Sequence, residues 1–397
     1  MKILIINDLG TDTGGAERVS LNLRARLRER GHEVRLFSSI AKPIGGVEVE
    51  ADDSCYSTYA AWRPVLSVLN PFAIAKLRRT IRSFRPDVVH LRMFMWHLSP
   101  AIMGLLRDVP TMLHVVNYDL ICPMNTKTLP TGEACHHRPG AVCLRERCLG
   151  ALGHARGAAQ RATLRRLMPD AIDRLVTNSH WVRERLEAEG VRVDDVIWNG
   201  VAETPARGPL DPGAPTIGFA GRLVPKKGVD VLLEALPLVH ERVPSARLLI
   251  AGDGPLRAAL AARAADLGVD DRVEFLGHLS AEDLRRSFDG LWVQAAPSIW
   301  EEPFGLVAAE SMMRGTAAVV SKTGGLGEQV IPSETGYHAE PSDPRSLAEG
   351  LTKVLSDADH AEELGRAARE RALAEFSIDR LVDRAEESYQ ILYKNPA

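Results

Sequence analysis

No stretch of this 397-residue chain strings together the roughly 18 apolar residues that a membrane-crossing helix needs. The apolar run at its start, Met1 to Ile6, is too short for a secretory leader, so the reading is of a cytoplasmic protein. Cysteine is scarce: five residues, an odd number, suggest no disulfide framework, and reduced thiols are expected. Net charge is only −3 and no recognition motif appears, which leaves nucleic-acid binding without support. No short tandem repeat is present, which argues against a solenoid.

What is present is ordinary globular material, 45% apolar and 25% charged, long enough for two cores. Charge is unevenly spread: residues 1–204 hold 28 Lys and Arg against 22 Asp and Glu, the remainder 21 against 30. A basic first half suits an anionic surface. Short β-rich runs alternate with amphipathic helical stretches throughout, the pattern of parallel sheets covered by helices, so the class is α/β. In the first half strands are expected at Lys2–Asn7, Glu33–Phe37, Asp87–Leu91, Pro110–Val116 and Arg174–Thr177, with a helix from about Ala16 to Arg30. The Pro-, Gly- and Ala-rich stretch from Val201 to Pro215 reads as a linker. A second alternation follows, with strands at Thr216–Ala220, Ala246–Ala251, Val273–Leu276, Leu291–Gln294 and Ala317–Ser321, and a helix at Phe304–Arg314. The expected domains are residues 1–200, 201–377 and a last helix within 378–397.

Three segments offer chemistry. After the first strand, Gly10 to Glu17 includes Gly14-Gly15 and leads into a helix, where free amides and the positive dipole end suit a phosphate or polar sugar. A tight turn with no ligand explains the same glycines, and the spacing fails the dinucleotide pattern G-x-G-x-x-G. After Thr216–Ala220 comes Gly221-Arg222 and then Lys226-Lys227-Gly228; at this strand's carboxyl end Arg222 with Lys227 can clamp a diphosphate, although turn cations are often merely solvated. The most informative segment is Pro297-Ser-Ile-Trp-Glu301-Glu302-Pro303-Phe304-Gly305-Leu306-Val307, running on to Glu310 and then Gly324-Gly325. Pro303 is suited to open a helix, leaving the amides of Gly305, Leu306 and Val307 as an anion site. On one continuous helix Glu302 and Glu310 stand ~12 Å apart. That exceeds the ~5 Å or ~6.5–9.5 Å of glycosidase pairs, so the two glutamates more readily grip different parts of one long ligand.

The pair Glu302-x7-Glu310, with Pro297-Ser298 before it and Gly324-Gly325 after it, resembles the retaining glycosyltransferases of family 4, whose two-domain fold is called GT-B. Further matches run along nearly the whole chain: Gly14-Gly15, Pro86-Asp-Val-Val-His90, Asn178-Ser179, Asn199-Gly200-Val201, Gly221-Arg222-Leu223 with Lys227-Gly228, Ala251-Gly252-Asp253-Gly254, and Phe275-Leu-Gly277. The resemblance implies two Rossmann-like doubly wound sheets facing across a cleft, with the last helix returning to the N-terminal domain. It implies a nucleoside-diphosphate sugar donor, UDP ahead of GDP, and a hydroxyl acceptor such as a saccharide or lipid-linked saccharide. By the same resemblance Arg222 and Lys227 hold the diphosphate, Glu310 the ribose, Glu302 the transferred sugar, and Gly15 with the amides near Gly305 completes the phosphate site. No metal or cofactor is then required, because the Arg–Lys pair supplies the positive charge.

One departure concerns the acceptor side. Related sequences carry His-Asp-Tyr before a Cys-Pro, whereas this chain has Val116-Asn117-Tyr118 before Cys122-Pro123. His114, two positions earlier and on the same side of a strand, is the candidate substitute, with a histidine satisfied inside the strand as the alternative. Cys122, Cys135, Cys143 and Cys148 crowd one loop within 118–150 and suit either a structural zinc or free thiols, though they lack the close C-x2-C spacing of zinc knuckles. Basic clusters at Lys76–Arg85 and at Arg156, Arg161, Arg165 and Arg166 suit either an anionic membrane at the inner face or a solvated helix face. Competing readings are a nucleotide-sugar-binding protein whose transfer activity is weak or lost, and a GT-B epimerase or phosphorylase.

Overall fold

The computed structural model describes residues 1–42, 47–211 and 213–394. The chain divides into two compact units. The first comprises Met1–Thr131, Cys135–Gly200 and everything from Ile378 onward; the second comprises Gly132–Ala134 and Val201–Ser377.

Seven parallel strands build the first unit: β1 (Lys2–Leu9), β2 (Glu33–Ser39), β3 (Asp53–Cys55), β4 (Val88–Leu91), β5 (Thr111–Val115), β6 (Arg174–Thr177) and β7 (Asp195–Val196). Their order across the sheet is β3-β2-β1-β4-β5-β6-β7. In β1 the run Ile3–Ile6 is wholly buried, as a strand covered on both faces requires. It pairs Ile3 with Val34 on one side and with Val88 on the other. Helices begin where their caps dictate. Asn70 accepts from the Phe72 and Ala73 amides ahead of Pro71–Phe84, and Ser179 accepts from Val182 ahead of His180–Ala188.

The helix Ile378–Lys394 packs within this first unit. Its Asp379 meets Arg26 and Arg30, its Asp383 and Glu386 meet Arg30, and Arg384 meets Asp195. Tyr389 is fully buried, and its hydroxyl lies 2.6 Å from His90 Nδ1.

The second unit holds β8 (Thr216–Ala220), β9 (Arg247–Ala251), β10 (Val273–Gly277), β11 (Val293–Ala296), β12 (Ala317–Ser321) and β13 (Gly336–Ala339), all parallel, in the order β10-β9-β8-β11-β12-β13. Ile217, Phe219, Leu248, Ile250, Val293 and Val319 meet Leu232, Leu236, Leu351 and Val354 from the covering helices in one core.

The sequence reading missed the short strands β3, β7 and β13, and placed β11 two residues early. Leu291 instead closes a turn on Phe288 and packs beside it and Ala251. The expected linker from Val201 is stitched down: the Arg207 amide donates to Arg314 O, Gly208 N to Asp289, Leu210 N to Glu362, and Trp292 Nε1 donates to Asp211 O. Among the described residues no helix is long and apolar enough to cross a membrane.

Candidate active site

In an open parallel sheet, ligands bind beyond the carboxyl ends of the strands, where neighbouring strands send their connections in opposite directions. In the second unit that point lies between β8 and β11. The loop after β8 carries Arg222 and Lys227, and the loop after β11 carries Ser298, Glu302 and Gly305. Glycine permits the backbone approaches that hold these loops. Gly228, at φ 64°, stands so near the carbonyl of Pro297 that a Cβ there would lie 2.0 Å from its oxygen, and Ile299 N donates to Lys226 O.

Lys227 Nζ donates to Glu302 Oε1 at 2.7 Å, and the Ser298 hydroxyl donates to the same oxygen. Burial alone would raise the Glu302 carboxyl, but the Lys227 ammonium and these hydrogen bonds outweigh it and hold the group below its usual range. Lys226 lies over the Trp300 ring, 3.9 Å from its centroid. Arg222 is exposed and has no ion pair among the described residues. One cation is thus committed to the buried glutamate and one faces outward.

Pro303 does not open the following helix, a correction to the sequence reading. Gly305 adopts φ 90°, ψ 63°, and the helix runs from Leu306 to Met313. The continuous-helix distance between Glu302 and Glu310 therefore does not apply: Glu302 sits on the loop, while half-buried Glu310 projects from the helix. The amides of Leu306 and Val307 lie in the first turn, where a helix leaves its N–H groups without internal partners. Gly325 and Gln329 fix this loop from behind: the Gly325 amide donates to Glu302 O, and Gln329 Nε2 donates to Phe304 O and Gly305 O. Ser298 and Gln329 escaped the sequence reading as site residues; the Pro297-Ser298 pair was the available signal for the first, and nothing local signals the second.

In the first unit the corresponding point lies between β1 and β4. Gly14 and Gly15 open the helix Gly15–Glu29, and the Glu17 carboxylate folds back onto Gly14, its Oε2 2.3 Å from where a Cβ of that glycine would stand. Burial, with the Asp8 carboxylate nearby, raises Glu17 above the usual range. Asp8 is buried at the end of β1 and accepts from the Trp96, His97 and Leu98 amides at 2.9, 2.8 and 2.9 Å.

His114 is not presented as an acceptor-side base. Its ring is fully buried, Nε2 donates to Ile197 O at 3.0 Å, and Nδ1 therefore accepts from His90 Nε2 at 3.3 Å and from Arg92 at 3.4 Å. The chain of bonds runs from the Tyr389 hydroxyl through both imidazoles to a carbonyl. Burial holds both rings neutral, well below the ordinary imidazole range. Val116, where related sequences place histidine, is also buried. Asp119, three residues on, escaped the sequence reading: it is half-buried, accepts from Trp96 Nε1 at 3.2 Å and Asn117 Nδ2 at 2.9 Å, and is pushed up to about 7 by burial and by Asp8.

Cys122, Cys135, Cys143 and Cys148 are free thiols. Burial, then the neighbouring thiols of Cys143, Cys135 and Cys122, raise Cys148. Among the described residues no three His, Cys, Asp or Glu side chains are gathered to hold a metal ion.

Two family models match end to end: the glycosyl transferase 4-like domain over residues 14–202 and glycosyl transferases group 1 over residues 201–371. A glycogen synthase of Mycobacterium tuberculosis is 32% identical over 305 residues, which is 75% of this chain and 67% of that protein. Across the first curated relatives it matches, the chain spans from 44% to 67% of their length. Sucrose-phosphate synthase from Thermosynechococcus elongatus superposes with a TM-score of 0.72 at 22% identity, covering 99% of each chain. Anabaena HepE, solved in complex with UDP, does so with a TM-score of 0.70 at 20% identity, covering 98% of this chain and 100% of that one. At such identities these two likenesses speak to the fold, which is GT-B. The paired Rossmann-like sheets, the matched family models and the glycogen synthase relationship together make this chain a member of the group 1 family of glycosyltransferases.

Proposed function

We propose that the chain transfers a sugar, with retention of configuration, from a nucleoside-diphosphate sugar to a hydroxyl of a saccharide or lipid-linked acceptor. The observation that carries this reading is the 2.7 Å Lys227–Glu302 pair at the turning point of the second sheet, beside exposed Arg222 and the first turn of Leu306–Met313. Arg222, Lys227 and the Leu306 and Val307 amides neutralise the departing diphosphate, Glu310 holds the ribose hydroxyls, and Glu302 orients the sugar. With this cationic set the leaving group needs no divalent ion. Binding of UDP by HepE supports a UDP-sugar donor, with GDP next. A polysaccharide or glycolipid pathway fits an acceptor of this class.

Contact with an anionic membrane fits the surface of the first unit. Tyr59, Trp62, Val65, Leu69 and Phe72 are exposed along one segment, and Arg78, Arg79 and Arg82 are exposed on the adjoining helix. The buried Val116 and the sequestered His114 favour one second reading, a donor-binding protein with little transfer.

Thermal stabilisation by UDP, GDP, ADP, CMP and NAD, with and without EDTA, tests the donor site, since a ligand at about 100 times its Kd adds about 2.7 kcal/mol. A selective shift from one diphosphate, unchanged by EDTA, is expected. No shift from any diphosphate, or one from NAD alone, sinks the reading. Release of UDP or GDP that depends on added acceptor separates transfer from binding alone.

A further inference from the structure

Around Trp96, at the turning point of the first sheet, two guanidinium groups share one indole. Arg156 Cζ lies 4.8 Å from the ring centroid and Arg63 Cζ 5.5 Å, with Arg63 also 5.4 Å from the Tyr59 centroid. The ring is not free to move. Asp8 grips the backbone of residues 96–98 through three amides, and Asp119 holds the indole nitrogen. Neither arginine has an ion pair or a guanidinium hydrogen bond among the described residues, and Arg156 Nε is buried with no partner. Both guanidiniums are half-buried, and partial burial without an ion pair is costly, as are two like charges on one ring. Burial, then Arg63, accordingly pushes the Arg156 guanidinium below its ordinary value. The acids nearby form no ion pair with it: Asp8 is spent on backbone amides, Glu17 folds onto Gly14, and Asp119, which attracts Arg156 without touching it, accepts from Trp96 and Asn117 and keeps acceptor sites to spare.

We infer that Arg63, Trp96 and Arg156 form a subsite for a phosphate group on the acceptor, with half-buried Asp119 beside it to receive a hydrogen bond from the acceptor hydroxyl. Planar guanidiniums match phosphate oxygens in paired hydrogen bonds, and the indole edge and Tyr59 offer a face for a sugar ring. The inference rests on the transferase reading, because it names the acceptor class of that same enzyme. The phosphate comes either from a soluble glycosyl phosphate or from a lipid headgroup, whose apolar chain would meet the exposed Trp62, Val65 and Leu69.

The test compares the full chain with Arg63→Gln/Arg156→Gln, both saturated with UDP so that the diphosphate site is filled. One arm titrates inorganic phosphate and glucose 6-phosphate while following tryptophan fluorescence. The other measures sedimentation with phosphatidylcholine vesicles with and without phosphatidic acid. The double variant is expected to bind at least tenfold more weakly in one arm, and that arm names the source. Its unchanged stabilisation by UDP shows that it is folded and that the donor reading stands. Equal binding by both proteins in both arms, or no binding by the wild-type protein in either, overturns the inference. Failure of the wild-type protein to respond to UDP overturns the donor reading separately. The Arg63→Lys/Arg156→Lys variant keeps the charge and loses the paired geometry, so full retention of soluble phosphate binding by it would overturn recognition by the guanidinium planes.

Discussion

Glu302 and Asp119 are both carboxylates in crowded surroundings, and their neighbours drive them in opposite directions. Glu302 has an ammonium 2.7 Å away and is held below the ordinary glutamate value of 4.5, so its stabilising contribution is present above about that pH and is lost as pH falls through the folded value. Lys227→Ala leaves that carboxylate buried and unpaired. The expected cost is about 3–5 kcal/mol at neutral pH, shrinking below about pH 4, measured by urea unfolding across that range. Asp119 has Asp8 nearby and titrates at about 7 against 3.8 for an ordinary aspartate. Its favourable state is the protonated one, so that contribution is complete below about pH 4 and disappears as pH rises through 7. Asp119→Asn should therefore flatten the fall in unfolding free energy between pH 4 and 7; an unchanged slope would place the titration elsewhere. Removing the outward cation, Arg222→Ala, should lower turnover by about 100-fold or more while the fold is kept, as steady-state kinetics and circular dichroism would report. Of these residues, Glu302, Lys227 and Arg222 were legible because they lie in short stretches of ordered spacing. Asp119, Trp96 and Arg63 were not, and Arg156 was read only as part of a basic cluster, since the two arginines lie 93 positions apart and only the fold brings them to one ring.

The strands ending at a site need loops that pass close to each other, and the two units show how narrow that tolerance is. Gly252 sits at φ 140° with a Cβ position 1.8 Å from Gly221 O, whereas Gly31 at φ 86° has nothing within 4 Å. Both positions favour glycine, but for different reasons, and alanine separates them. Gly31→Ala is expected to cost about 1 kcal/mol from backbone strain alone, and Gly252→Ala about 3 kcal/mol or more, because the β8 and β9 loops must part. Chemical denaturation of the two variants in parallel checks the difference; equal losses would mean that the loops yield freely. At this scale the sequence reading was sound for long, regular elements such as β1 and β8 and for the helix after β1. It faltered where one residue decides a boundary. Gly305 turns left-handed and delays a helix that Pro303 is expected to begin, and Leu291 is taken by a turn rather than a strand. The two-residue β7 and three-residue β3 have too little pattern to be seen without their neighbours.

Across the whole molecule, the first unit is built from two widely separated stretches of chain. Its last helix supplies Tyr389, the buried end of the bond chain through His90 and His114, and the carboxylates that surround Arg30. Tyr389→Phe removes the hydroxyl that satisfies His90 Nδ1 and should cost about 1–3 kcal/mol, read as a lower unfolding midpoint. A loss confined to a few tenths would mean that water replaces the hydroxyl.

That split arrangement also sets a clock on biosynthesis. A ribosome that has translated β7 has made every strand of the first sheet, yet the helix that packs over β4 and β5 is encoded roughly 190 residues downstream, about 10–40 s later at 5–20 residues per second. During that interval the part of the face over β4 and β5 stays uncovered while the whole second sheet is made. The tail-side helix is thus the closing step of the domain that begins the chain, and a message cut short before it leaves a product that quality-control factors can recognise by that uncovered face.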